Sequence, residues 1–402
     1  MTSDLDVVIV GAGISGLACA SYAARAGLHC AVLEQAAEPG GCIHTVRTSQ
    51  GFWFELGAHT LYNSYGALLE ILDRLGARAC VQTRRKLPFR LWVGGKARSL
   101  ASEVALGELL ASAWRILGAR KAGRTVAEYY GALVGARNWQ RVFSPLLAAV
   151  PSQRADDFPA EMLFKRRPRR KDFPRTFTLA GGLTTLVERL SRQENVCLRT
   201  RAAVAELGQA GSRFVIATED GARLTSRSLV IATPPAAAAR LLDRLRPDLS
   251  RVLARIATTE VVSTGVVLAQ GQGGLPAMLG LAPLADDFLS LVTRDVVADE
   301  QRRGLAFHFR PGLTRDQRLA VIARVSGAEP ASFLHVAEHT AVLPSPGRHH
   351  PEIVAALDDL LRIPGIYLAG NFFGGLSLED CVIRARAESD RLLRDLSARS
   401  NR

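Results

Sequence analysis

The run Gly11-Ala12-Gly13-Ile14-Ser15-Gly16 has residue types and spacing that could bind a phosphate. A short β-branched stretch, Asp6-Val7-Val8-Ile9-Val10, comes just before it, and residues 17–27 (LACASYAARAG) read as a helix closed by glycine. A second strand is expected over 28–33, with Glu34 at its end. The order is therefore strand, tight turn, helix, strand, acid. In that order Gly11 permits the turn, Gly13 lets the backbone approach a pyrophosphate, and Gly16 lets the helix pack close to the strand. Free N–H groups at the helix start bring partial positive charge to the phosphates. Glu34 is placed to accept hydrogen bonds from a ribose diol. An acid at this position disfavours a 2′-phosphate, so NADP is set aside and FAD or NAD remain.

The residues after Glu34 separate the two. Gln35 leads into Pro39-Gly40-Gly41-Cys42-Ile43-His44, and then Glu55-Leu56-Gly57-Ala58-His59-Thr60. The glycine pair allows a loop to pass tightly over a bound group. These residues resemble the amino-terminal signature of the FAD-dependent amine oxidase, phytoene desaturase and protoporphyrinogen oxidase superfamily. The carboxyl end agrees. Pro364 to Asn371 (PGIYLAGN) reads as a strand running into Gly370 and Asn371, and Phe372-Phe373-Gly374-Gly375-Leu376-Ser377-Leu378 then opens a helix. That stretch resembles the carboxyl motif of protoporphyrinogen oxidases more than that of amine oxidases. Three inner blocks resemble the same family: residues 177–186 with Gly181-Gly182, residues 196–207 as a strand pair, and residues 229–235 ending in Ala232-Thr233. Residues 125–159 are similar to its helical part, with Ala149-Val150-Pro151-Ser152 where the oxidases carry a glycine-rich turn.

The resemblance implies an α/β fold: a discontinuous Rossmann-type FAD-binding domain with an α+β substrate domain, in a glutathione-reductase/amine-oxidase-like architecture. The cofactor domain is expected over 1–78, 177–240 and 345–402. The helical part of the substrate domain is expected over 79–176 and its mixed-sheet part over 241–344. The resemblance also implies FAD contacts from Gly11, Ala12, Gly13, Ile14, Ser15, Gly16, Glu34, Gln35, Gly40, Gly41, Cys42 and Ile43. It carries over further contacts from Gly57, Ala58, His59, Thr60, Val204, Ala232, Thr233, Gly370, Asn371, Leu376, Ser377 and Leu378. Val204 is to bring a backbone amide to the adenine; the family usually has a basic residue near the end of the glycine turn, where this chain offers His44 or Arg47, and neither is assigned to the phosphates.

By the same resemblance, flavin N5 accepts a hydride and electrons pass to dioxygen or another acceptor. No catalytic side chain is nominated. The first reading of function is an oxidase of a porphyrinogen-type substrate bearing carboxylates, with Arg90 as a cation for one of them and Phe372 at the substrate. The second is an amine oxidase, or a desaturase of an isoprenoid or secondary-metabolite substrate. The third is a non-catalytic flavoprotein subunit.

The 402 residues carry 51 Lys+Arg against 38 Asp+Glu, a net charge of +13 that could favour anionic partners. The six cysteines form no C-x-x-C pair, which leaves a zinc ribbon or thioredoxin-like site without ligands and fits idle thiols in a reducing cytoplasm. The uncharged run 7–24 comes after Asp4 and Asp6 and is interrupted by glycines, and the run 261–285 is broken by Gly271, Gly273, Gly274 and Pro276. Neither reads as a spanning helix or a signal peptide. His335 and His339 lie in a strand-like stretch that does not suit paired ligands. Residues 165–175 (KRRPRRKDFPR) are a basic run that reads as a solvated loop, an anionic membrane contact or a contact to a carboxylate-rich substrate. No aromatic stacking pattern accompanies it, so nucleic acid is not expected. Residues 100–118 read as one amphipathic helix, either packed on the substrate domain or resting on an anionic bilayer. The place of action is expected to be the cytoplasm, including the inner face of its membrane.

Overall fold

The computed structural model describes residues 5–400. Asp4 and the outermost residues of the expected cofactor domain, 1–4 and 401–402, lie outside that range.

The β-branched stretch near the start forms the strand Leu5–Val10 at the middle of a seven-stranded sheet. Parallel neighbours lie on both sides, Cys30–Leu33 and Arg223–Ile231, so its side chains are buried on both faces. Val196–Arg199 extends the sheet beyond Cys30–Leu33 in parallel. Arg223–Ile231 changes partner along its length. Its first half runs antiparallel to Arg213–Thr218, and its last residues run parallel to Ile366–Leu368. Val204–Ala210 closes the far edge against Arg213–Thr218. The expected strand pair over 196–207 is therefore corrected: its two strands lie at opposite ends of one sheet and do not pair.

A second seven-stranded sheet has the order His335–Pro344, Thr258–Ala269, Arg302–Phe309, Ser290–Thr293, Gly280–Pro283, Phe89–Val93, Lys96–Ser99. The hairpin Thr45–Arg47/Trp53–Glu55 reaches from the first sheet's side and packs Phe52, Phe54 and Leu56 on Val267 and Ala306. A small sheet joins Leu61–Tyr62, Thr176–Leu179 and Val81–Thr83.

Residues 100–118 do not make one helix. They break into Leu100–Glu103, Leu106–Ser112 and the 3₁₀ turn Ala113–Ile116. Ser99 caps the first piece, and Val104 leaves helical geometry. Among the described residues no helix is long and apolar enough to cross a membrane.

Candidate cofactor and substrate site

The phosphate-binding run begins where Leu5–Val10 ends. Gly11 sits at φ +103°, and a Cβ there would come within 2.8 Å of the Ala232 carbonyl oxygen. A Cβ on Gly16 would come within 2.0 Å of the Gly11 carbonyl oxygen, so this glycine sets how closely the helix Ile14–Arg25 approaches the strand. Gly13 differs. A Cβ there would meet nothing within 4 Å. Gly13 caps the helix with no side-chain bond, and the first turn carries no acid. Donors, open space and absent negative charge together fit a pyrophosphate.

Glu34 lies at the end of Cys30–Leu33. Its Oε2 accepts from Ala12 N at 2.8 Å and its Oε1 from Ala36 N at 2.9 Å. Gln35 is exposed beside it. Gly40 N donates to Ala12 O at 2.9 Å, and Gly13 and Gly40 form a parallel bridge. Both Gly40 and Gly41 have positive φ. Ala58 N donates to Cys42 O at 2.9 Å, and a Cβ on Gly57 would strike that same oxygen. These contacts draw Gly11 to Gly16, Glu34, Gly40 to Ile43, and Gly57 to Ala58 into one cluster. Arg201 N and Ala202 N donate to Ala36 O and Glu34 O, so the chain just before Val204 lies against the acid. Ala232 N donates to Val10 O, and the hydroxyl of Thr233 is buried without a partner. A buried unpartnered polar atom beside the glycine turn is what an absent polar ligand leaves behind.

The chain's two ends meet at this place. The long helix Leu378–Ser400 packs along Ile14–Arg25, and Cys19 Sγ donates to Ala385 O at 3.8 Å. Ala369 N, next to Gly370 and Asn371, donates to Ile231 O at 3.1 Å. Ser377 opens the long helix, accepting from Asp380 N at 3.1 Å and donating to Asp380 Oδ2 at 2.5 Å. Leu378 is buried in the core, and Leu376 packs beside the cluster around Val126 and Phe158. The first turn holds two acids, Glu379 and Asp380, and both are engaged. Glu379 accepts from Ala67 N and Leu68 N at 2.9 and 3.0 Å. Asp380 pairs with Lys165 at 2.8 Å and Arg167 at 2.6 Å. The basic run 165–175 is thus in part a strap over this helix start and not simply a solvated loop.

Beside Gly57 to Thr60 lies a small cavity of about 20 Å³, room for a water or two. Glu55, His59, Arg84, Thr178 and Arg294 bring polar groups to its wall, and Trp53 is among its apolar residues. Arg84 donates to the Thr60 hydroxyl, but its Nε has no partner, and Arg84 is only 7% exposed. Arg294 stacks over the Trp53 ring at 4.2 Å, and its Nε also lacks a partner. Burial lowers both guanidinium pKa values to about 10. Among the described residues neither arginine forms a salt bridge within 4 Å. Glu55 Oε2 accepts from Thr45 Oγ1 and Oε1 from Leu183 N, both at 2.7 Å. Burial still outweighs those donors and raises its pKa to about 7. His59 faces Gly57 O at 3.2 Å, and burial, assisted by Arg84, lowers its pKa to about 3.

One nominated position is corrected. Phe372 is 1% exposed and packs against Phe373 in the core cluster containing Ile366 and Leu368, so it presents no face to a substrate. Of the basic residues near the glycine turn, Arg47 donates to Gly181 O and pairs with Glu188, and His44 stacks on His339 with ring centroids 4.2 Å apart. Arg90 is half-buried on Phe89–Val93 with its Nε unpartnered, away from the walls of the small cavity. Arg84 and Arg294 were not singled out in the sequence. Arg84 opens Arg84-Arg85-Lys86, which reads as an ordinary basic surface stretch, and Arg294 has no motif around it.

The fold and the site define a dinucleotide-binding protein whose second sheet is tied to the first through the hairpin Thr45–Arg47/Trp53–Glu55. The family described as flavin containing amine oxidoreductase matches residues 14–269, well over half the chain, and the protein belongs to it. It is an FAD-dependent oxidoreductase. The fold is similar to a "Putative protoporphyrinogen oxidase" from Exiguobacterium sp. 255-15, with TM-score 0.78 and 19% identity over 98% of this chain and 99% of that one. It is also similar to a CLA-producing fatty acid isomerase from P. acnes, with TM-score 0.73 and 17% identity over 98% and 99%. Among curated relatives, an all-trans-retinol 13,14-reductase of Danio rerio is 52% identical over 74 residues. That match covers 18% of this chain and 12% of the reductase.

Proposed function

We propose that this protein is an oxidase that removes hydrides from a porphyrinogen-type, carboxylate-bearing substrate and passes electrons to dioxygen or another acceptor. The observation that carries this reading is the pair of arginines, Arg84 buried and Arg294 half-buried, lacking a carboxylate within salt-bridge distance beside the Gly57 to Thr60 segment. Such a pair attracts a carboxylate arm and repels a protonated amine. The overall likeness to the Exiguobacterium protein supports the same reading.

FAD, when bound, supplies the two-electron acceptor. Gly11 to Gly16 and Gly40 to Gly41 would hold its pyrophosphate, and Glu34 its ribose. Val204, Ala232, Thr233 and the 376–378 turn would flank the rest. Trp53 and Phe54 line the small cavity beside the Gly57 to Thr60 segment. The same reading divides the chain into a cofactor domain (1–78, 177–240, 345–402) and a substrate domain (79–176, 241–344) that act in the cytoplasm, including at the inner face of its membrane.

The test is a substrate panel mixed without oxygen with the flavin-loaded protein and read by its absorbance band. Bleaching by coproporphyrinogen or protoporphyrinogen supports the proposal. Bleaching by an amine or an isoprenoid, and by no porphyrinogen, overturns it. A purified protein that neither carries nor takes up flavin would point to the non-catalytic subunit.

A further inference from the structure

Residues 106–117 are built inside out for a surface segment. Leu106, Leu110, Trp114, Ile116 and Leu117 are 62–86% exposed, whereas the segment's polar groups hold it to the protein. Glu108 Oε1 accepts from Arg137 N at 3.1 Å and Oε2 from Asn138 N at 3.0 Å. The Asn138 side chain is fully buried and bonds both Ala105 N and Ala105 O. A helix packed on its domain would show the reverse, apolar side inward and polar side outward. An apolar face of this extent marks a binding surface.

Charge selects the occupant. The stretch 98–124 has two acids, Glu103 and Glu108. Glu103 is held between Arg98 at 3.3 Å and Arg141 at 3.2 Å, with its side chain 6% exposed. Glu108 is spent on the backbone of Arg137 and Asn138. Arg115, Arg120 and Arg124 are exposed and Lys121 is half-buried. Among the described residues none of the four pairs with a carboxylate. Lys121 Nζ also donates to Leu163 O at 2.7 Å, which ties the patch to Phe164, itself exposed, and to the head of the basic run. A second copy seated on this face would bring its cations against these ones. An apolar face rimmed by cations, with a tryptophan near its centre, suits acyl chains beneath anionic headgroups.

We propose that residues 106–117 dock this protein on a bilayer bearing anionic lipid, with Leu106, Leu110, Trp114, Ile116 and Leu117 entering the acyl boundary and Arg115, Arg120, Lys121 and Arg124 meeting lipid phosphates. Docking of this kind would bring the enzyme to membrane-dissolved apolar molecules. It is independent of the substrate reading, because vesicle binding requires no turnover.

The experiment is co-flotation of the flavin-loaded full chain with extruded vesicles. One set is phosphatidylcholine alone, and the other contains about one third phosphatidylglycerol. At low salt, roughly tenfold more protein should float with the anionic vesicles, and the excess should vanish at about 0.5 M salt. The triple variant Leu110→Gln, Trp114→Gln, Leu117→Gln should lose flotation while keeping the flavin spectrum and melting temperature. The triple variant Arg115→Gln, Arg120→Gln, Arg124→Gln should lose the preference for anionic lipid. The proposal is overturned if the wild-type chain floats with neither set, or if it floats no better than the Leu110/Trp114/Leu117 variant. It is equally overturned if sedimentation shows that the patch instead joins two copies and no vesicle binding occurs. A failed porphyrinogen panel beside positive flotation would sink the substrate reading alone.

Discussion

Gly13 and Gly16 stand three residues apart and face opposite constraints. Adding a methyl at Gly16 drives it into the Gly11 carbonyl oxygen. Gly16→Ala should therefore destabilise the folded chain by about 1–3 kcal/mol, as overpacking does. Gly13 faces open space, and its φ of −72° suits any L-residue. Gly13→Val should leave the melting temperature of the flavin-free protein unchanged and weaken FAD binding at least about tenfold. Fluorescence titration with FAD beside thermal melts of the stripped protein checks both. A flavin affinity unchanged in Gly13→Val would remove the pyrophosphate from this turn. Glu55 offers a second residue-level test. Its carboxyl is raised from the usual 4.5 to about 7 in the folded state, so the folded chain holds its proton more tightly than the unfolded one. That contribution to stability is complete below about pH 4.5 and is lost as the pH rises through about 7, at most about 3 kcal/mol. His59 and His308, with values lowered by burial, act oppositely and lose their contribution as pH falls below their usual 6.5. They are common to wild type and Glu55→Gln and cancel in a comparison. Melts across pH 5–8 should therefore show wild type declining with rising pH relative to Glu55→Gln. Parallel curves would mean that Glu55 is ionised throughout.

At the scale of elements, the legible parts were those whose signal is local. Strand Leu5–Val10, the glycine turn and the helix Ile14–Arg25 are written in short runs of residue type. Partner choice is not local. Residues 196–207 read as two strands, yet nothing within them says that Val196–Arg199 pairs with Cys30–Leu33 while Val204–Ala210 lies across the sheet. The 100–118 stretch misled for a related reason. Its apolar spacing suits one helix, but Glu108 and Asn138, meeting across 30 residues, decide which side faces in. Nor does composition distinguish a solvated basic loop from a strap. Asp380, with its side chain 6% exposed, holds both Lys165 and Arg167. Asp380→Asn should release the 165–175 segment and destabilise the protein by about 2 kcal/mol, less than for a fully buried pair because Lys165 remains partly wet. Limited trypsin digestion reads this directly. Faster cleavage at residues 165–175 is expected, and an unchanged rate would assign the segment's order to Arg170 and its partners Asp73 and Asp172 instead.

At the scale of the molecule, the cofactor cleft and the second sheet are joined through one hairpin. Phe54 sits where a Cβ on Gly265 would come within 2.2 Å of its ring, and a Cβ on Gly304 within 2.9 Å of its own Cβ. Those two glycines lie on Thr258–Ala269 and Arg302–Phe309, adjacent inner strands of the second sheet. The same hairpin carries Glu55, which bonds Leu183 N at the start of the helix Thr184–Ser191, and leads into Gly57 beside Cys42. A group bound in the cleft therefore stabilises the hairpin's base, and the hairpin's tip cannot leave the second sheet without exposing Phe52, Phe54 and Leu56. The two sheets should consequently unfold together. Calorimetry of the stripped protein should give one transition. Added FAD should move that transition upward as a unit, by about 2.7 kcal/mol of stability at a free concentration one hundred times its dissociation constant. Two transitions, of which only one responds to FAD, would show that the hairpin contact is too weak to couple the sheets. Phe54→Ala distinguishes the cases further, because it should split a single transition into two while leaving the glycine turn and Glu34 in place to bind the cofactor.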